Sequence, residues 1–107
     1  DDNLVVATAK TLLARRLPTV AVSSGALTED AHAGRYLICA GNVTLPASPA
    51  LGVHFTILNT TSGNITVTAT SSSTINGGSA NTVITVATYN AVTCIGIGSS
   101  NWIALGV

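Results

Sequence analysis

Formal charge is confined to the amino-terminal third of this chain. Every Asp, Glu, Lys and Arg lies at or before Arg35, so residues 36–107 carry none. Acid–base catalysis needs a carboxylate, Lys or His, phosphate binding uses Arg or Lys, and hard metal ions prefer carboxylates. The uncharged region offers only His54, two thiols, hydroxyls and amides. We therefore expect a protein that is not an enzyme and that binds neither cofactor nor metal.

The uncharged region is also rich in strand-forming Thr, Val and Ile. An exposed strand edge without charge is a template for pairing with another chain, so a free monomer normally carries charge there. The whole chain has 107 residues, which suits one compact domain, and only 7% of them are charged, against roughly a quarter in an average soluble protein. This composition is typical of an obligate subunit in an assembly.

Short strand patterns separated by turn residues predict an all-β fold, a small antiparallel β-sandwich or barrel of about eight strands. Within this β-domain, residues 18–107, residues 61–64 predict a tight hairpin turn, and residues 64–70 alternate apolar and Thr side chains. Residues 24–34 predict a loop with one helical turn that Thr28 caps. The expected strands are 19–23, 35–40, 43–45, 53–59, 64–70, 82–87, 91–97 and 101–107.

Residues 1–17 differ from the rest and predict an attachment arm that ends at Pro18. Apolar residues recur there at helical spacing, but Leu4–Ala7 also suits an extended arm, and so short a helix needs a partner to be stable. The missing Met indicates an amino terminus that is trimmed or cut from a longer chain. The residues expected to contact a partner or another subunit are Leu4, Val6, Lys10, Leu13, Arg15, Arg16, Leu17 and Trp102.

Cys39 and Cys94 each lie inside a hydrophobic strand pattern, which predicts reduced, buried thiols. A disulfide between two sheets is the alternative. Cys94 with His54 would make a weak thiol-nucleophile pair, because a mid-strand cysteine lacks the helix terminus that activates such thiols.

Other binding signals are weak. Zero net charge and few aromatic residues argue against nucleic acid, and no apolar run approaches the ~20 residues of a membrane span. The sequons at Asn42, Asn59 and Asn64 are explained by turn chemistry as readily as by glycosylation. Trp102 could stack on a sugar, but its place in an alternating strand favours a core or subunit-interface role.

Several turn and strand signatures together resemble the β-sandwich modules of tailed-phage virions, the head decoration (cement) proteins and related head and tail fibre domains. They are residues 32–35, 43–46, 52–59, 62–63, 75–78 and 101–102. The resemblance covers residues 30–105 and implies a homotrimer of β-sandwiches or barrels without catalytic residues, with an amino-terminal arm that attaches it.

The expectation that follows is a decoration protein that stabilises the phage capsid. It would bind neighbouring subunits of the major capsid protein at the capsid surface of a virion assembled in the host cytoplasm. Two alternatives stay open. One is a fibre or receptor-binding domain that recognises a host surface glycan, and the other is a secreted carbohydrate-binding module.

Overall fold

The protein is dominated by short β-strands. Its structure is a computed structural model, which describes residues 18–47 and 50–106. Helix α1 spans Glu29–His32. The ten strands are β1 Thr19–Val22, β2 Gly25–Ala26, β3 Tyr36–Cys39, β4 Val43–Thr44, β5 His54–Asn59, β6 Ile65–Thr68, β7 Thr74–Ile75, β8 Val83–Val86, β9 Ala91–Gly96 and β10 Asn101–Leu105. The all-β prediction is confirmed.

The strands form two mixed sheets. The six-stranded sheet has the order β1-β3-β5-β9-β10-β7, and the four-stranded sheet has the order β2-β4-β6-β8. From β1 to β6 the chain alternates between the two sheets, one strand in each. Each of the eight predicted strands has a counterpart in the structure, and β2 and β7 are two-residue strands that the sequence did not indicate.

The expectation of antiparallel sheets is wrong for the first half of the domain and also for β7, which runs parallel to β10. Strand β3 runs parallel to both β1 and β5, with Tyr36 opposite Thr19 and Thr56. Strand β4 likewise runs parallel to β2 and β6. Parallel neighbours need a crossover connection, and here each crossover contains a strand of the other sheet. The antiparallel pairs are β5 with β9, β9 with β10, and β6 with β8.

The predicted hairpin at residues 61–64 is also wrong, because β5 and β6 belong to different sheets. The side chain of Asn59 explains the change of sheet: its amide nitrogen donates both to the Gly63 carbonyl, within the turn, and to the Val86 carbonyl of β8, at 2.8 Å each. Strands β9 and β10 do form a hairpin, which turns through Ser99 and Ser100, each at positive φ.

One hydrophobic core takes side chains from both sheets. Leu37, Phe55 and Ile57 enter it from the six-stranded sheet, and Val43 and Val67 enter from the four-stranded sheet, all at most 1% exposed. The predicted alternation of residues 64–70 is confirmed, since its apolar side chains are buried and its threonines from 66 to 70 are partly exposed. Such burial supplies most of the favourable free energy of folding.

The helical turn predicted after residue 24 is confirmed as α1. Thr28 caps it, because its hydroxyl accepts a hydrogen bond from the Ala31 amide and its own amide donates to Nδ1 of His32 at 2.9 Å. The predicted arm, residues 1–17, lies outside the described residues, and so do seven of the eight expected contact residues, from Leu4 to Leu17.

Candidate interaction face

The outer surface of the six-stranded sheet carries aligned rows of uncharged side chains. Strand register places Ile38 of β3 beside Leu58 of β5, which lies beside Ala91 of β9. A second row runs through Tyr36, Thr56, Thr93 and Leu105. A third row holds His54, Ile95 and Ile103. These positions alternate with the buried ones along each strand, so they share one face of the sheet.

We call the large apolar side chains of this surface the apolar face: Tyr36, Ile38, Leu58, Ile95, Ile103 and Leu105. Three of them are substantially exposed, Tyr36 and Ile38 at 38% and Leu105 at 53%. Five strands spaced by about 4.8 Å and about six residues of 3.4 Å each give the whole outer surface of this sheet, with its Thr and His side chains included, a projected area of about 500 Å². The apolar face is the part of this area that its six side chains cover, and apolar patches of a few hundred Å² on monomers are often functional.

The outer surface of the four-stranded sheet has different chemistry. Thr44 lies beside Thr68, and Thr66 lies beside Thr85. We call these four residues the threonine face. All four are partly or fully exposed, and their hydroxyls suit contact with water. Val83 lies beside Thr68 in the same row and is 56% exposed, so this surface carries hydroxyl groups with one large apolar side chain, whereas the other surface carries six.

The charged residues among those described gather at one end of the domain. Glu29 and Asp30 lie in α1, and Arg35 follows it, with its guanidinium donating to the Asp30 carbonyl at 3.0 Å. The adjacent Gly34 amide donates to the His54 carbonyl at 2.9 Å, which places this group beside the start of β5. Both outer sheet surfaces are left without formal charge in the described part of the chain.

Both cysteines are buried free thiols, as the sequence predicted. Burial raises the pKa of Cys39 to about 11 and that of Cys94 to about 12. Cys39 pairs with Asn59 of β5 and Cys94 pairs with Phe55, four residues earlier on that strand, a separation of about 13 Å along it. A disulfide needs Cα atoms within about 7 Å, and a nucleophile needs a lowered pKa, so neither role fits.

Trp102 lies in the core and not at the surface. Its side chain is fully buried, and its ring packs on Phe55 with centroids 5.7 Å apart and a 55° angle between the planes. The sequence favoured a core or subunit-interface role and placed Trp102 among the expected contact residues. Its burial agrees with the core role and contradicts the expected contact. Sugar stacking and direct contact with a partner both need an accessible ring.

Asn59 is a buried polar side chain that holds the two sheets together. Besides its two bonds to backbone carbonyls, its Oδ1 accepts from the amide of Thr61 at 2.9 Å and from the Thr61 hydroxyl at 2.7 Å. The residue is 1% exposed, and both hydrogens of its amide are in use. The sequon that starts at Asn59 is therefore closed to glycosylation in the folded protein.

In the described residues no three His, Cys, Asp or Glu side chains come together as a metal site would require, and no pocket opens. The single helix found between residues 18 and 106 is too short to cross a membrane. The two outer sheet surfaces of this part of the chain carry no formal charge.

The sequence contains a signal for the apolar face, although none of the six residues of that face is among the expected contact residues. Residues 36–39, Tyr-Leu-Ile-Cys, are apolar at both odd and even positions, and Ile95 and Ile103 likewise stand at outward positions of strands with buried apolar neighbours. A strand that is apolar on both sides is usually covered on both sides.

Comparison with known proteins adds no relative. No protein-family model matches the sequence, and no curated protein matches it at a significant level.

Proposed function

We propose that this chain is a non-catalytic structural protein of a phage virion, which decorates the capsid as a homotrimer bound to the major capsid protein. The observation that carries the proposal is the apolar face, which lies on a sheet surface of about 500 Å² without formal charge. Exposure of the apolar face to water is unfavourable. Burying it against another protein surface would remove that cost, so the apolar face suits association. The resemblance of residues 30–105 to virion modules supports the phage setting.

The finer fold that goes with this function is a β-sandwich. The shared core supports it, because buried residues of both sheets belong to one cluster. In a sandwich each sheet keeps one outer surface, and the two surfaces here differ in chemistry. We assign the apolar face to contact between subunits and the threonine face to solvent.

A closed ring of three is the preferred arrangement, because a ring covers strand edges and leaves none for further addition. Strand β1 is an edge of the six-stranded sheet and β8 an edge of the four-stranded sheet, and neither contains a charged residue. Uncharged edges of this kind need to be covered in a soluble protein.

The arm, residues 1–17, is assigned to capsid attachment. Leu4, Val6, Leu13 and Leu17 would supply apolar contacts, and Lys10, Arg15 and Arg16 would steer the arm to an acidic capsid surface. The mechanism is mass action: a protein that binds only the assembled shell stabilises the shell by its free energy of binding.

The first test measures the mass of the full chain in solution by light scattering. We expect three times the chain mass of 10.7 kDa. Replacing Ile38 on the apolar face by Lys should shift the mass toward the monomer, because the interface would bury an unpaired charge. Thr85→Lys on the threonine face is the matched control and should leave the trimer intact. A soluble wild-type monomer at high concentration would remove the trimer from the proposal.

The second test is direct density for the protein on purified capsids. Three-fold density at the surface supports decoration. Density confined to a tail or fibre would transfer the protein to a fibre role and contradict capsid decoration.

A further inference from the structure

Tyr89 is a large side chain in an unusual position. It lies in the turn between β8 and β9, its side chain is 81% exposed, and its backbone φ is +59°. Bulky L-residues rarely adopt this left-handed conformation, because their Cβ crowds the backbone. An exposed aromatic ring in a strained conformation contributes little to folding, so its presence calls for another explanation.

The turn itself gives no reason for a tyrosine. The Asn90 amide donates to the Ala87 carbonyl at 3.0 Å, which makes Tyr89 the third residue of a four-residue turn. When that position has a positive φ, Gly or Asn normally fills it. Neither residue would alter the backbone hydrogen bonds of this turn.

The backbone of Tyr89 is held firmly. Its amide donates to the Asn59 carbonyl at 2.8 Å, and the Asn59 amide donates to the Asn90 carbonyl at 3.0 Å. Asn59 is buried and bonded to both sheets, so the turn is fixed to the most strongly constrained polar residue of the domain. Strained residues persist where their surroundings determine them in this way, and they occur preferentially at functional sites.

The surroundings of Tyr89 are polar and uncharged. The turn between β5 and β6 lies beside it, since both turns bond to Asn59, and that turn exposes Thr60, Ser62 and Asn64. Asn90 adds an exposed amide. The charged residues near α1 lie at the opposite end of β5, next to His54, so a ligand at this end meets no formal charge from the described residues.

We propose that Tyr89 is the stacking platform of a binding site for a neutral carbohydrate. The apolar face of a sugar ring would lie on the tyrosine ring, and its hydroxyls would exchange hydrogen bonds with Asn90 and with the side chains of Thr60, Ser62 and Asn64. The site is open and has no pocket, so a single copy binds weakly. This inference goes beyond capsid decoration and does not depend on it.

The test uses the full chain on an array of neutral oligosaccharides built from glucose, galactose, mannose and N-acetylglucosamine, with sulfated and sialylated glycans alongside. The strongest neutral probe is then titrated by NMR. We expect Tyr89→Gly to lower affinity at least tenfold while raising the melting temperature, because Gly relieves the positive φ. Tyr89→Phe keeps the ring and should stay within a few-fold of wild type. Leu51→Ala, which removes a large side chain that is 82% exposed and lies outside both the apolar face and the threonine face, is the matched control and should bind as wild type does.

Four results would overturn the proposal: no neutral probe bound by the wild type, a consistent preference for charged glycans, unchanged affinity in Tyr89→Gly, or a lower oligomeric mass for that variant. A lower oligomeric mass for Tyr89→Gly would show that the tyrosine ring lies in a contact between subunits. A monomeric wild type that binds a neutral glycan through Tyr89 would support this inference and remove the proposed trimer.

Discussion

Asn59 allows the stability of the domain to be tested at one side chain. Asn59→Ala removes four hydrogen bonds, two donated to the carbonyls of Gly63 and Val86 and two accepted from Thr61. At about 1 kcal/mol of net stability for each bond, the expected loss is about 4 kcal/mol. The whole domain has on the order of 5–15 kcal/mol, so the variant should be close to unfolding at moderate temperature.

The assay is urea unfolding followed by the fluorescence of Trp102, which is fully buried in the folded state. Asn64→Ala is the matched control, because Asn64 is exposed and belongs to the same turn. It should change the free energy of unfolding by less than about 0.5 kcal/mol.

Asn59→Asp refines the test. A carboxylate accepts hydrogen bonds but donates none, and burial raises the pKa of a carboxyl group. Stability should therefore be recovered as the pH falls and the carboxyl group is protonated. If Asn59→Ala costs less than about 1 kcal/mol, the four bonds do not hold the sheets together, and the explanation given for the chain leaving the six-stranded sheet after β5 is wrong.

Three further outcomes are expected. Burial raises the pKa of Cys39 to about 11 and that of Cys94 to about 12, so at pH 10 the folded state keeps two protons that an unfolded chain with thiol pKa 9.0 largely releases. Stability should fall above about pH 9, by on the order of 1 kcal/mol per thiol at pH 10, and urea unfolding of the double Ala variant should show no such loss. Ser99→Asn with Ser100→Gly should raise the free energy of unfolding by about 1 kcal/mol, because two positive φ angles favour Asn-Gly; an unchanged urea midpoint would contradict this. Deleting residues 1–17 should leave the far-ultraviolet circular dichroism unchanged and abolish capsid binding in co-sedimentation, whereas unfolding would show that the segment belongs to the domain.

Local features of this fold could be read from the sequence. The strand around Val67 alternates strictly between apolar residues and Thr, and its apolar side is buried as that pattern predicts. Thr28 followed by Glu29 predicted the start of the helical turn, and its cap forms as expected. Each of these features depends on neighbours within a few residues, which is the range over which sequence patterns carry information.

Strand pairing depends on partners far along the chain, and the expectation of antiparallel pairing was wrong. An alternating strand looks the same whether its neighbour is parallel or antiparallel, so the pairing of Tyr36 with Thr19 and Thr56 could not be inferred. The local pattern after Asn59 is that of a hairpin turn. The hydrogen bond from the buried Asn59 side chain to Val86 joins residues 27 positions apart, so nothing near the turn indicates the change of sheet. The left-handed conformation of Tyr89 was likewise hidden, because residue preferences alone would place Gly or Asn there.

The turns of this domain reduce its stability, which bears on the proposed assembly. In residues 18–47 and 50–106, the non-glycine residues at positive φ are Ser71, Ser72, Asn76, Asn81, Tyr89, Ser99 and Ser100. The five that are not Asn each cost on the order of 1 kcal/mol, a substantial sum against the 5–15 kcal/mol of a typical domain. Association through the apolar face would offset this cost, because partner binding at 100 times the dissociation constant adds about 2.7 kcal/mol. The melting temperature should therefore rise with protein concentration in the wild type and not in Ile38→Lys. A wild-type melting temperature that stays constant over a hundredfold range of concentration, with the protein monomeric throughout, would show that the fold is stable without partners and that the apolar face is not a contact between subunits.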